Sequence, residues 1–245
     1  ASIVILALPL GAIRETLAAI APELPSGCLV TDTAPLKVPV LDWAGELLPP
    51  GVGFVGGDPI GARSRPGEPA ADRFLGTTYC LCVAPAAPGQ AAESASDLAT
   101  AVGARPHFVD PVEHDGLVAL LDQAPFALAA ALLQAARSQA SWRELVRLGG
   151  GRFERLLGII GEEPGPGFET AAANLANVGR WLDCLQEALQ SLRQQLEGGD
   201  EKAREQLIAA LVDARLEWER HGEEAGQPLP KVGFTVRRLF GMREP

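Results

Sequence analysis

The run Ile3-Val4-Ile5-Leu6-Ala7-Leu8, stopped by Pro9, is apolar at every position. A strand with one face in water alternates apolar and polar residues. A strand with no alternation is covered on both faces, as the strands of parallel sheets are. Gly11 to about Ile20 then carries helical spacing and closes at Pro22 and the Pro25-Ser26-Gly27 turn. The strand Cys28-Leu29-Val30-Thr31-Asp32 follows, then a helix from about Val38 to Leu48. Gly53-Phe54-Val55-Gly56-Gly57 and Thr78-Tyr79-Cys80-Leu81-Cys82-Val83 read as further short apolar strands. A helix near Gln90–Val102 leads to a last one, Pro106-His107-Phe108-Val109. Strands and helices alternating at this spacing predict an α/β domain over residues 1–110, a partial doubly wound, Rossmann-like parallel sheet.

From Pro111 the pattern is helix alone, so residues 111–245 are expected to form an all-α domain. His114 to about Gln139 is rich in Ala and Leu, with hardly any charge in its middle. A helix apolar nearly all round is buried, here against another domain or subunit. A second helix is expected from about Phe168 to Leu196, with Leu182, Leu185, Leu189, Leu192 and Leu196 at helical spacing, and a third from Glu201 to about Arg220. The tail from Gln227 to Pro245 reads as an extended, locally basic arm.

A net charge of -10 leaves no basic surface for phosphates and excludes nucleic acid as a partner. Cys28, Cys80, Cys82 and Cys184 sit in apolar runs with no histidine close in sequence, which predicts buried thiols in a reducing cytoplasm and no metal site. No run was expected to reach the roughly 18 apolar residues that span a membrane, and no basic segment precedes the first apolar run as in a signal peptide.

Several segments, in order, resemble the prephenate/arogenate dehydrogenase family. Ser2–Pro9 resembles the strand and proline that precede its cofactor crevice. Val30-Thr31-Asp32 with Lys37 looks like its D-x-x-S-x-K stretch, and Phe54-Val55-Gly56-Gly57-Asp58-Pro59-Ile60 is similar to F-V-G-G-H-P-M. Ala71-Asp72-Arg73-Phe74-Leu75-Gly76 with Tyr79, then Gly103-Ala104-Arg105 and Asp110-Pro111-Val112-Glu113-His114-Asp115, match the segments that follow. The resemblance implies a nicotinamide-binding domain, a helical domain that dimerises, and oxidative decarboxylation of prephenate or arogenate with NAD or NADP. On the matching positions it implies Leu8, Pro9, Asp32 and Lys37 at the cofactor, Asp58, His114 and Gln123 at the reacting centre, and Asn174 near the substrate. Arg63 and Arg65, following a strand end where open α/β sheets place ligands, are candidate carboxylate contacts.

The departures from the family pattern fall on its chemistry. Asp58 stands where the family has the histidine that takes the substrate's hydroxyl proton. An imidazole suits that task near neutral pH, whereas a carboxyl, ordinarily near pKa ~3.9, is a poor base and repels a dicarboxylate. Pro35 replaces the serine of D-x-x-S-x-K, and Asp122-Gln123-Ala124-Pro125-Phe126 aligns with S-H-L-P-H without either histidine. Gly158 aligns with an arginine, with Arg152 and Arg155 nearby. The family's G-x-G-x-x-G turn and first βαβ unit are expected upstream of residue 1. Three functions therefore compete: a homodimeric family member with its reaction lost, a dehydrogenase of a less anionic small molecule, and an interaction module built on the helical dimer.

Overall fold

The computed structural model describes residues 2–60, 70, 72–161, 164–198 and 201–225. Arg63, Arg65 and the basic tail lie outside the described residues. Five strands form one sheet in the order β1 (Ile3–Leu6), β2 (Leu29–Asp32), β3 (Gly53–Pro59), β4 (Thr78–Val83) and β5 (Arg105–Phe108). β1–β2, β2–β3 and β4–β5 are parallel, but β3 and β4 run antiparallel, so the sheet is mixed where a parallel one was expected. The physical reason is the connection: Pro59 lies opposite Tyr79, so the chain re-enters the sheet at the end it left and needs no helical crossover.

Helices α1 (Leu10–Ile20) and α2 (Val38–Leu47) cover one face of the sheet. Ile13, Leu17, Val40 and Leu41 pack there against Leu6, Val30, Phe54 and Cys82. Helix α3 (Gly89–Ala101) covers the other, where Ala91, Ala95 and Ala99 bring its axis close to Leu29, Val55 and Leu81. An i, i+4, i+8 row of alanines lies on one side of a helix and suits such close contact. β2 and β3 are buried at every residue, the polar Thr31, Asp32 and Asp58 included. β1 is an edge strand in the described sheet, with Ile5 50% exposed, rather than covered on both faces.

The helical unit begins at α4 (Pro111–Val118), whose N-terminus is capped by the Asp110 carboxylate through the amides of Val112 and Glu113. A π-helical turn, Ala119–Gln123, joins it to α5 (Ala124–Arg137). α6 (Trp142–Leu148), α7 (Arg152–Leu157), α8 (Gly165–Ala173), α9 (Leu175–Glu197) and α10 (Glu201–Ala225) follow. One expectation changes here. The helix expected over Phe168–Leu196 is two helices broken at Asn174, whose φ of -115° and ψ of 28° leave the helical region while its side chain bonds elsewhere. The apolar helix of residues 114–139 buries one face only, with Val118, Ala119, Ala124, Phe126 and Ala129 inside. Leu117, Leu120, Leu121, Leu128 and Leu132 are exposed in the single chain.

The 27-residue helical stretch Pro111–Arg137 is long and apolar enough to cross a membrane by length and composition, against the expectation from sequence. Its polar residues His114, Asp115 and Gln123 are nevertheless buried in hydrogen bonds to the rest of the chain. Cys28, Cys80 and Cys82 are buried as expected; Cys184, on α9, is exposed.

Candidate functional site

The site grows from the C-terminal ends of β2 and β3, where open α/β sheets carry their ligands. Asp32 ends β2 and Lys37 opens α2, five residues on, so one short loop brings opposite charges face to face. Both side chains are wholly buried, with Lys37 Nζ 2.6 Å from Asp32 Oδ2. Nζ also donates to the Gly57 carbonyl at 2.6 Å, and the amides of Ala34 and Gly57 donate to the Asp32 carboxylate at 2.9 and 3.1 Å. Burial pushes the Asp32 carboxyl above the usual range, although Lys37 and the two amides pull it back.

The two glycines of β3 make this packing possible, each for a different neighbour. A Cβ on Gly56 would come within 3.0 Å of the Lys37 stem and of Leu41. A Cβ on Gly57 would lie 2.6 Å from the Asp32 carbonyl and 2.8 Å from the Tyr79 ring. Tyr79 closes over that strand from β4, and burial, with Asp32 and Asp58 adding to it, pushes its phenol up to about 12.

A second buried cluster joins this sheet end to the helical unit. Asp115, on the first turns of α4, accepts from the backbone amides of Lys37 at 2.7 Å and Val38 at 2.9 Å. Its carboxylate thus caps α2, where a negative charge meets the positive end of the helix dipole. The neighbouring His114 has Nδ1 2.8 Å from Asp115 Oδ1 and Nε2 3.2 Å from Asp58 Oδ2. Only 1% of His114 is exposed. Burial alone would lower its pKa, but the hydrogen bonds to Asp115 and Asp58, with their charges, outweigh burial and raise it. Asn174, at the break between α8 and α9, donates to the Asp115 carbonyl and to Gln123 Oε1, each at 2.8 Å. Gln123 Nε2, in the π-helical turn, is buried with no hydrogen-bond partner among the described residues.

The structure thus brings Asp58 and His114 together, pairs Asp32 with Lys37, and pairs Gln123 with Asn174. Leu8 is half-buried and Pro9 exposed, at the end of β1 and the start of α1. Asp32 and Lys37 are closed on one another and present no exposed surface. Phe126, aligned with a family histidine, packs edge-on against Phe168 with ring centroids 5.2 Å apart. Arg152 and Arg155 are exposed on α7. Sequence reasoning placed Asp115 in a matching segment but gave it no functional role. Its real partners, the amides of Lys37 and Val38, are 78 and 77 residues away in sequence. A cavity of about 480 Å³ lies at the opposite end of the sheet, among Ser2, Cys28, Gly53, Ala91 and Ser94, away from every one of these groups.

Comparison with known proteins agrees with this architecture. Residues 1–107 match the family model of the prephenate dehydrogenase nucleotide-binding domain, and residues 110–212 match that of the prephenate dehydrogenase dimerization domain. The prephenate dehydrogenase of Bacillus subtilis (strain 168) is 32% identical over 141 residues, a match spanning 56% of this chain and 38% of that relative's length. The crystal structure of Aquifex aeolicus prephenate dehydrogenase in complex with hydroxyphenyl propionate and NAD+ superposes with a TM-score of 0.79 at 20% identity, over 89% of this chain and 76% of that one. Synechocystis arogenate dehydrogenase gives 0.75 at 21% identity, over 89% and 79%. These likenesses place the same two units in the same order along the chain, and the chain belongs to the prephenate/arogenate dehydrogenase family.

Proposed function

We propose that this chain is a prephenate/arogenate dehydrogenase-like protein that keeps the family fold and ligand crevice but has lost the oxidative decarboxylation. The observation that carries the reading is the pairing of Asp58 with His114. A general base must reach the proton it takes and be unprotonated at the working pH. His114 fails on both counts: each ring nitrogen is engaged by a carboxylate, the ring is buried, and its pKa is raised. Asp58, at the family histidine's place, brings a negative charge instead. At ~4 Å and an effective dielectric of ~20, a carboxylate there opposes a substrate carboxylate by about 4 kcal/mol before screening. Prephenate and arogenate are expected to yield no reduced cofactor, and turnover on either would overturn the reading.

NAD or NADP remains the proposed cofactor, supported by the match of residues 1–107 to a nucleotide-binding domain. When bound, a nicotinamide supplies the hydride acceptor. The described residues fit it only in part. Leu8, Pro9 and the first turn of α1 furnish one wall, but the turns joining β1 to α1 and β2 to α2, residues 7–9 and 33–37, contain no glycine to let a pyrophosphate approach the backbone. Gly149-Gly150-Gly151 lies between two helices, α6 and α7.

A homodimer through the helical unit is proposed on two grounds, the match of residues 110–212 to a dimerization domain and the uncovered apolar faces. Leu182, Leu189 and Leu192 on α9 are exposed, as are Ile208, Leu211 and Trp218 on α10. Faces this apolar mark protein interfaces. Sedimentation at micromolar concentration is expected to show a dimer; a monomer would remove this assignment.

A further inference from the structure

Asp58, His114 and Asp115 stand exactly where the two units meet: Asp58 belongs to β3, and His114 and Asp115 to α4. We propose that these three residues form a proton-dependent clamp that fastens the helical unit to the end of the sheet. A doubly protonated imidazole has two N–H donors and serves both carboxylates. Asp58 Oδ2 at 3.2 Å and Asp115 Oδ1 at 2.8 Å lie at donor–acceptor distances from Nε2 and Nδ1. A neutral ring has one donor, so one nitrogen's lone pair then faces a buried carboxylate oxygen. The lost hydrogen bond falls on the junction. Asp115 transmits the change, because the oxygen it offers His114 also accepts the Lys37 amide at the start of α2.

The groups around the ring leave the clamp intact. Asp58 faces it from β3 and Asp115 from α4 itself. Beyond them lie Asp32 at the end of β2 and Lys37 at the start of α2, which neutralise one another, and Tyr79 and Cys82 on β4, each pushed up to about 12 and so uncharged at neutral pH. Gln123 and Asn174, from the π-helical turn and the α8–α9 break, are neutral.

The direction of the pH dependence follows from the ring's raised pKa. The stabilisation is complete below the unfolded-chain value of ~6.5 and is lost as pH rises through the higher folded value. Across that window the unfolding equilibrium constant of the wild type is expected to rise by up to tenfold per pH unit, the limit for one proton. Urea unfolding of the whole chain between pH 5.5 and pH 9 reads this slope, and Asp58→Asn is expected to flatten it. NMR titration of the wild-type histidine rings, with His114 resolved from His107 and His221, needs no variant to fold. A His114 ring titrating above ~6.5 supports the clamp. A ring titrating at or below that value, or an unchanged slope in a folded Asp58→Asn protein, overturns it.

Discussion

Lys37→Met is expected to cost about 3–5 kcal/mol in urea unfolding, enough to unfold much of a marginally stable domain. Methionine keeps most of the stem's volume over Gly56, so the loss is not a cavity effect. It removes the counter-charge of Asp32, whose wholly buried carboxylate has the Lys37 ammonium 2.6 Å away. It also leaves the Gly57 carbonyl without the Nζ donor at 2.6 Å. Adding Asp32→Asn should return part of the loss, because a neutral amide needs no counter-charge and keeps an oxygen for one of the two amides, Gly57 or Ala34, that donate to separate carboxylate oxygens. A double-mutant cycle showing no coupling between the two positions would contradict the pairing.

Gly57→Ala is expected to be nearly as damaging, by about 3 kcal/mol, at the upper end of overpacking effects. The added methyl would sit 2.6 Å from the Asp32 carbonyl, a backbone atom that cannot swing away, and 2.8 Å from the Tyr79 ring. Relief requires β2 to part from β3 or Tyr79 to leave its place, and either disturbs Lys37 and Asp32. Gly11→Ala serves as the control. Gly11 lies inside α1 with nothing within 4 Å of the new methyl. There alanine should stabilise by roughly 0.5–1 kcal/mol through helix propensity. Equal midpoints for the two variants would show that the close approach at Gly57 does not exist.

How much of this could be read in the sequence depends on the range of the interaction. The strands were legible because β2 and β3 are short apolar runs buried on both faces, and α1, α2 and α3 because their periodicity meets a sheet. The antiparallel turn at β4 was not, since an apolar run carries no mark of direction. Asn174 stood out in sequence through the family resemblance but not as a helix break, because its partners Asp115 and Gln123 are 59 and 51 residues distant. The exposed leucines of α5 leave open the expected burial against another subunit: composition predicts burial and cannot say whether a second chain provides it. At the site, the local pair Asp32–Lys37 follows from a five-residue spacing, whereas the bond from His114 to Asp58 crosses 56 residues and appears only in the fold.

The substitution at Asp58 changes meaning once that bond is seen. In sequence it is a missing base; in the structure it is also the acceptor that consumes the nearest histidine. The most direct test is reduced-cofactor formation from prephenate and from arogenate, with NAD and with NADP, on the protein preceded by any residues that complete its nucleotide site. Cofactor binding, followed separately by fluorescence, serves as the control. Bound cofactor with no reduction on either substrate is the predicted result. Substrate-dependent reduction would show that a proton acceptor is available after all and would contradict the loss of the reaction.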